Sequence, residues 1–301
     1  MTGFAQASSA VPPAVFPPAG GGRRRSPFRR RVIPGFGLTM GLTLAYLTII
    51  VLLPILALIL KAAGLTLAEY WAIVASPRAV ATYRLTLSSA LYATAINAVI
   101  GLLLAWVLVN YDFPGRRLLD GFVDLPFALP TAVAGISLTA LLAPNGWIGQ
   151  LAAPFGIKIA YTQLGIVIAM IFTSIPFVVR TVQPVLEDMD PEAEEAAIML
   201  GASDWQVFAR VIFPTILPAF LAGSALSFAR CLGEFGAIIF IAGNLPMQTE
   251  ITALLAVIRV EEFEYEAAAA LASVMLAAAF VMLFVSNGVQ LWHLRYVRGS
   301  R

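Results

Sequence analysis

The chain has 301 residues, of which 60% are hydrophobic and only 12% are charged, with a net charge of +2. This composition excludes an ordinary soluble domain and indicates a protein that crosses a membrane several times. The single cysteine and single histidine exclude a disulfide framework, a multi-histidine metal site and a Ser-His-Asp triad within the membrane. We therefore expect no metal site and no catalytic residue.

The first 30 residues are rich in proline, glycine, alanine and arginine, without helical periodicity. They predict a disordered, basic tail over residues 1–30. Its arginines lie close to the first apolar run, which favours a charge anchor over a site for nucleic acid or anionic lipid. Residues 31–295 form one predicted membrane domain, and residues 296–301 a short second tail.

Six apolar stretches are each long enough, at about 20 residues, to cross the bilayer as a helix. They are Leu38–Leu60, Leu85–Val109, Phe122–Ala143, Leu164–Pro184, Ile212–Ala242 and Ala267–Leu291. The fifth is too long for one straight helix, and its Pro214, Pro218, Gly223, Gly233 and Gly236 predict a kink or a break. The sequence thus predicts an all-α polytopic membrane protein with about six transmembrane helices.

Arginine and lysine are unevenly divided between the connections on the two sides of the membrane. One side holds Arg23, Arg24, Arg25, Arg29, Arg30, Arg31, Arg116, Arg117, Arg210, Arg295, Arg298 and Arg301, and the other holds Lys61, Arg78, Arg84, Lys158 and Arg259. Because cytoplasmic connections carry the excess of positive charge, this division places both termini and residues 190–214 in the cytoplasm.

Residues 190–214 are charged, and their pattern predicts two short helices. Asp190 and Pro191 supply an N-cap and a first helical position, and Gly201 is placed to end that helix in a left-handed conformation. Ser203 and Gln206 have capping-box spacing for a second helix. We expect this second helix to stop or kink at the residue before Pro214.

The segment is acidic, with Glu192, Glu194, Glu195 and Asp204 on its two helices. An amphipathic helix on a membrane surface usually carries lysine and arginine on its polar face. The acidic composition therefore favours docking into a protein groove.

The residues Glu195 to Ala197, Gly201 and Val211 to Pro214 closely resemble the EAA signature of ABC-importer permeases. The resemblance implies a type I ABC-importer permease fold, in which residues 190–214 are a cytoplasmic coupling segment that inserts into a separate ATPase subunit. It assigns ATPase coupling to Glu195, Ala196, Ala197, Gly201 and Pro214.

Neither lysine of the chain lies in a phosphate-binding G-x-x-x-x-G-K-[ST] loop. We therefore expect a transport subunit that is not an enzyme and binds no cofactor itself. The resemblance implies that ATP and magnesium are bound by the partner ATPase.

Four further stretches resemble the T-type permease of sulfate/thiosulfate importers, and the first of them is shared with molybdate permeases. They are SFARCLGEFGAIIFIAGN (Ser227–Asn244), DLPFALPTAVAGISLTALLAPNGWIG (Asp124–Gly149), FTSIPFVVRTVQPVLE (Phe172–Glu187) and RVIPGFGL (Arg31–Leu38). This resemblance implies translocation of sulfate or thiosulfate across the bacterial inner membrane. The implied partners are a second, W-type permease, an ATPase dimer, a periplasmic sulfate/thiosulfate-binding protein and membrane lipid.

Two alternatives remain open from the sequence. Molybdate, tungstate or another oxyanion is the alternative substrate. A gradient-driven secondary transporter is the alternative mechanism, and it would rely on Glu234, nearly the only acid deep in an apolar run, to bind a coupling ion.

Ionisable residues within apolar runs are costly and therefore candidates for function. Arg230 and Glu234 share a helical face and could neutralise one another, but their order, arginine first, is the weaker one for an exposed pair and points to a partner elsewhere for each. Arg230 serves either a structural ion pair or an electropositive conduit. For Arg180 we expect snorkelling to the cytoplasmic edge.

The translocation path or its gate is expected at helix breaks, where backbone N–H groups attract anions without a full charge. Pro126 and Pro130 mark one candidate break, near Gly135, and Gly233 and Gly236 mark the other. Close helix packing by small residues is the alternative role of these positions.

Two connections are expected on the outer side. Ala143–Gln163 carries a Pro-Asn-Gly turn followed by exposed apolar residues, and the apolar spacing of Thr249–Val260 predicts an interfacial helix. Contact with a binding protein and packing on the membrane surface both remain open for them.

Overall fold

The computed structural model describes residues 36–299, and the predicted tail 1–30 lies outside them. All regular structure within this range is helical. The chain divides into two units, Met1–Leu53 and Pro54–Arg301. The described part of the first unit is α1 (Phe36–Leu47) with a π-helical turn, Thr48–Leu52, and its described side chains are exposed.

The second unit holds nearly all of α2 and the other helices. These helices are α2 (Leu53–Ala62), α3 (Leu67–Val74), α4 (Pro77–Asn110), α5 (Arg116–Ala128), α6 (Thr131–Leu142), α7 (Trp147–Ala152), α8 (Gln163–Glu187), α9 (Pro191–Met199), α10 (Asp204–Val207), α11 (Phe213–Leu232), α12 (Ile238–Ile241), α13 (Thr252–Glu261) and α14 (Tyr265–Gly299). A 3-10 turn, Ala153–Phe155, follows α7, and a π-helical turn, Phe208–Ile212, joins α10 to α11. The predicted tail from residue 296 begins inside α14, because the helix continues to Gly299.

Six helical runs in the described range are long and apolar enough to cross a membrane. They are Gly37–Ala62, Pro77–Asn110, Thr131–Phe155, Gln163–Glu187, Asp204–Leu232 and Tyr265–Val285. The predicted number of spans is therefore confirmed. The bounds differ from the prediction by several residues, most of all in the third and fifth runs.

The third predicted span, Phe122–Ala143, is wrong as one helix. The chain is extended at Leu129, the residue before Pro130, and α6 starts only at Thr131. A residue before proline is pushed out of the helical region by the proline ring, which explains the position of the break. Pro126 lies inside α5 and does not end it.

The fifth predicted span, Ile212–Ala242, begins too late and ends too late. The helical run starts at Asp204 and continues into α11, so the helix does not stop before Pro214; the predicted position of a stop or kink is instead taken by the π-helical turn Phe208–Ile212. The proline lies in the first turn of α11, and the wider turn before it bonds the Phe213 N–H to the Phe208 carbonyl. A π turn of this kind accommodates a proline that would otherwise break the helix.

The centre of the second unit is a three-helix packing of α4, α8 and α11. Gly101 of α4 and Gly223 of α11 both lie against Val178 of α8, where a Cβ would be within about 3 Å of its atoms. Asn97 is buried at the same junction and donates to Ser174 at 2.8 Å. Small residues thus allow close approach, and polar side chains bridge the helices, as is typical of membrane bundles.

On the side predicted to be external, α13 is held against the bundle. The helix predicted from the apolar spacing is present, and its apolar residues Leu254 and Leu255 are buried against the bundle. Arg78, in the first turn of α4, donates from Nε and Nη2 to the two carboxylate oxygens of Glu250 at 2.8 and 2.6 Å. The Glu250 side chain is fully buried, so the preceding loop is fixed to α4 by a two-bond ion pair.

We predict that Arg78→Ala destabilises the protein more than Arg259→Ala. Removal of Arg78 leaves a buried carboxylate without its partner, which costs about 3 kcal/mol. Arg259 pairs with Glu262 and Glu264, which are about half exposed, and exposed pairs contribute less than about 1 kcal/mol. The check is the apparent melting temperature of each purified variant in mild detergent.

The matched variant Arg78→Ala with Glu250→Gln removes both charges and should recover much of the lost stability. Equal melting temperatures for the two single variants would contradict the importance given to this pair.

Candidate functional site

The coupling segment, residues 190–214, begins with a capped helix as predicted. The Asp190 Oδ1 accepts from the Glu192 N–H at 3.0 Å, and Pro191 occupies the first position of α9. The helix ends at Gly201, which has a φ of +83°. The Gly201 N–H donates to the Ile198 carbonyl at 2.8 Å, and the Ala202 N–H donates to the Ala197 carbonyl at 3.1 Å. This is a Schellman ending, which requires the left-handed conformation that glycine adopts without strain.

The second helix of the segment is also capped as predicted. The Gln206 Oε1 accepts from the Ser203 N–H at 2.9 Å. Val207 and Ile212 are buried in an apolar cluster with Val182 and Leu186 of α8. The inner side of the coupling segment is thus packed on the membrane bundle.

The outer side of the coupling segment is exposed and apolar. Met199 and Leu200 are 88% and 89% exposed, and Trp205 is 72% exposed. Glu195 and Ala196 are exposed on the same helix pair. An exposed apolar patch bordered by charged residues is typical of a surface that binds another protein.

The second helix break lies at residues 233–237, between α11 and α12, as the glycines predicted. The first break, at Leu129 and Pro130, leads directly into α6. The start of α6 packs against this second break. A Cβ on Gly236 would clash with the Thr131 Oγ1, and a Cβ on Gly135 would clash with the Ala237 carbonyl oxygen.

The two breaks therefore contact each other, and we call them the paired breaks. Gly135 and Gly236 lie where only a residue without a side chain fits. The two roles left open by the sequence, a helix break and close helix packing, therefore occur together at these glycines.

Arg230 and Glu234 form an ion pair at the second break. The Arg230 Nη1 lies 2.6 Å from the Glu234 Oε2, and the Glu234 Oε1 accepts from the Ala237 N–H at 2.8 Å. The Glu234 side chain is 1% exposed and that of Arg230 is 30% exposed. Arg230 and Glu234 thus pair with each other, which is one of the two arrangements left open by the sequence.

Arg180, for which snorkelling to the cytoplasmic edge is expected, binds two half-exposed acids of α5. The Nε and Nη2 donate to the two oxygens of Asp124, each at 2.7 Å. The Nη1 donates to the Asp120 Oδ1 at 2.6 Å and to Gln183 at 2.7 Å, and Nη2 also donates to the Asp120 carbonyl at 3.0 Å. All five N–H donors of the guanidinium are thus engaged. We call this group the Arg180 clamp.

Sequence analysis missed Asp120, Asp124 and Glu250. Each pairs with an arginine that is 56 or more residues away, so no local spacing marks the pair. A search for acids to neutralise each arginine near an apolar run would have found Asp120 and Asp124, which share one face of a helix at i and i+4.

The described residues contain no group of three or more His, Cys, Asp or Glu side chains placed to hold a metal ion. Cys231 is buried among α4, α8 and α11 side chains and contacts the Ser174 hydroxyl at 3.1 Å. It therefore packs as a small core residue.

Comparisons with known proteins identify the family. The family model described as "Binding-protein-dependent transport system inner membrane component" matches residues 97–299. The chain is 55% identical over 261 residues to the sulfate transport system permease protein CysT of Escherichia coli K12, covering 87% of this chain and 94% of that protein. It is 51% identical over 254 residues to the CysT protein of Synechococcus elongatus, covering 84% and 91%.

A solved structure shows the same fold at low sequence identity. A chain of a bacterial alginate ABC transporter, in complex with an alginate pentasaccharide-bound periplasmic protein, superimposes with a TM-score of 0.70 at 16% identity. The match covers 84% of this chain and 93% of that one. With its broken spans and exposed helix pair, the chain belongs to the binding-protein-dependent transport permeases, in the family of the CysT sulfate transport permeases.

Proposed function

We propose that this chain is the membrane-spanning subunit of an ATP-driven importer that moves sulfate into the cytoplasm. The observation that carries the proposal is the coupling segment. Its inner side is packed on the bundle, while its outer side presents Met199, Leu200 and Trp205 to a partner. The sulfate permeases that share about half of its sequence support the choice of anion.

The partner at the coupling segment is a separate ATPase dimer that binds ATP and magnesium. Glu195 and Ala196 lie on the outer side, where they meet that partner. Ala197 and Gly201 form the helix ending that sets the angle between α9 and α10. Pro214 begins α11, through which a displacement of the segment passes into the membrane.

The paired breaks form the gate of the anion path. Pro130 sets the first break, and Pro126 lies in the turn of α5 that precedes it. Gly233 and Gly236 set the second break, where Arg230 and Glu234 form their ion pair. Conduction requires that the anion also leave, and a free arginine in the path would retain sulfate. The ion pair with Glu234 balances that charge, and it also removes the acid that a gradient-driven transporter would need.

The subunit lies in the bacterial inner membrane with both termini in the cytoplasm, as the arginine distribution supports. A second, W-type permease completes the path, and a periplasmic binding protein delivers sulfate or thiosulfate to the outer side. A permease of the same fold, solved in complex with its periplasmic protein, supports this assembly.

We predict that Gly201→Ala uncouples the importer. A left-handed conformation costs a non-glycine residue at least about 1 kcal/mol, so the helix pair will shift from the shape that fits the ATPase. A cost of about 1.4 kcal/mol on docking corresponds to about tenfold weaker association. The measurement is sulfate uptake into vesicles, together with ATP hydrolysis stimulated by the binding protein.

Gly156→Ala is the matched control. Gly156 has a φ of +71°, and, as at Gly201, a Cβ there would meet no atom within 4 Å. Gly156 closes the 3-10 turn Ala153–Phe155 before α8, whereas the coupling segment follows α8, so the same backbone strain is placed away from the coupling segment. Gly156→Ala should transport sulfate like the parent protein. If Gly201→Ala does so as well, the role of the coupling segment is refuted.

We predict that Glu234→Gln slows sulfate transport while it tightens apparent sulfate binding. Glutamine keeps an acceptor for the Ala237 N–H but leaves the positive charge of Arg230 unbalanced, and that charge then holds the anion. We expect the maximal uptake rate and the half-saturating sulfate concentration both to fall, each by about fivefold, the effect of about 1 kcal/mol. Normal uptake by Glu234→Gln and by Arg230→Ala, in normally assembled complexes, would exclude the ion pair from the gate.

A further inference from the structure

The Arg180 clamp joins α8 and α5, which have different roles in the proposed importer. Arg180 lies on α8 seven residues before its end at Glu187, and the coupling segment follows directly. Asp124 lies on α5 four residues before its end at Ala128, and the first of the paired breaks follows directly. The clamp is therefore placed between the coupling segment and the gate.

Burial of charge does not explain the clamp. The Asp120 and Asp124 side chains are 42% and 50% exposed, so water would solvate either acid without an arginine. The two helices already share an apolar contact, because Val123 of α5 is buried in the cluster that contains Val179 and Val182 of α8. Apolar contact holds helices together but leaves their rotation loosely defined, whereas a two-bond arginine–carboxylate pair fixes direction.

The clamp is also unsuited to binding the transported anion. All five donors of Arg180 are engaged, and one arginine with two aspartates carries a net charge of −1 at neutral pH. A sulfate dianion is repelled by such a group. Its role is therefore mechanical.

The same apolar cluster links the coupling segment to α5. Val207 and Ile212, from the second half of the coupling segment, are buried in the cluster with Val123. A displacement of the coupling segment is therefore transmitted to α5 through this cluster. The clamp adds four directed polar bonds from a single α8 side chain to α5.

We propose that Arg180 is a positioning residue, which fixes α5 on α8 so that movement of the coupling segment opens the paired breaks. This inference rests on the proposed function as an ATP-driven importer. Without the clamp, α5 rotates on its apolar contact, and ATP hydrolysis proceeds without opening the gate.

The test is the number of sulfate ions imported per ATP hydrolysed, measured with the complete importer in vesicles. Arg180→Lys keeps the charge but loses the planar fork that binds Asp124 with two bonds. We expect the amount of assembled complex and the ATP hydrolysis to remain unchanged and the ratio to fall by about fivefold or more. Asp124→Asn, at a half-exposed position, should lower the ratio in the same way.

Arg259→Lys is the matched control. Arg259 also binds two carboxylates, those of Glu262 and Glu264, but this group lies at the connection between α13 and α14, away from α5 and α8. Its ratio should equal that of the parent protein. An unchanged ratio in both clamp variants would overturn the proposal. So would a loss of assembled complex with an unchanged ratio in the complex that remains, since that result indicates a purely structural role.

The same measurement on the parent protein distinguishes a failure of this proposal from a failure of the proposed function. If the parent complex imports no sulfate when ATP is hydrolysed, the function itself is wrong. If it does, a change in the clamp variants tests the positioning role alone.

Discussion

The contact between two interrupted helices is the constraint on which the rest of this structure depends. Backbone N–H and C=O groups freed at a helix break cannot be left facing lipid, so breaks persist only against protein or a water-filled path. Here each break covers the other, and Gly135 and Gly236 permit an approach that any side chain would prevent. Glu234 then satisfies the Ala237 N–H and neutralises Arg230 within the same contact. A movement of α6 against α12 acts first on the close contacts at Gly135 and Gly236, which join the two breaks.

The remaining features are arranged around that contact. The coupling segment is stiffened by two caps and a left-handed glycine, and it continues without a stop into α11, which ends at the second break. The α5 helix, held by the Arg180 clamp, ends at the first break. Both sides of the paired breaks are therefore connected to one exposed surface, the outer side of the coupling segment. On the opposite side, the buried pair of Arg78 and Glu250 holds the loop before α13 in place.

Local chemistry explains what could be predicted from the sequence. Span number follows from apolar length, and the caps at Asp190, Ser203 and Gly201 follow from bonds between residues at most five apart. What the sequence could not supply depends on distant contacts. The burial of the apolar stripe of α13 against the rest of the bundle depends on tertiary packing. The acids that bind Arg180 lie 56 and 60 residues away, so no local spacing marks them. At Pro214 a stop or a kink was expected, and a π turn carries the helix past the proline.

The most direct test of the account asks which side of the membrane the coupling segment faces and what covers it. The native Cys231 is buried, so Met199→Cys offers a single reactive thiol on the exposed outer side of α9. A membrane-impermeant maleimide should label it only in inside-out vesicles, and addition of the ATPase subunits should protect it. A cysteine at the exposed Trp147 should show the opposite sidedness. Labelling of Met199→Cys from the outside, or equal labelling with and without the ATPase, would contradict the account.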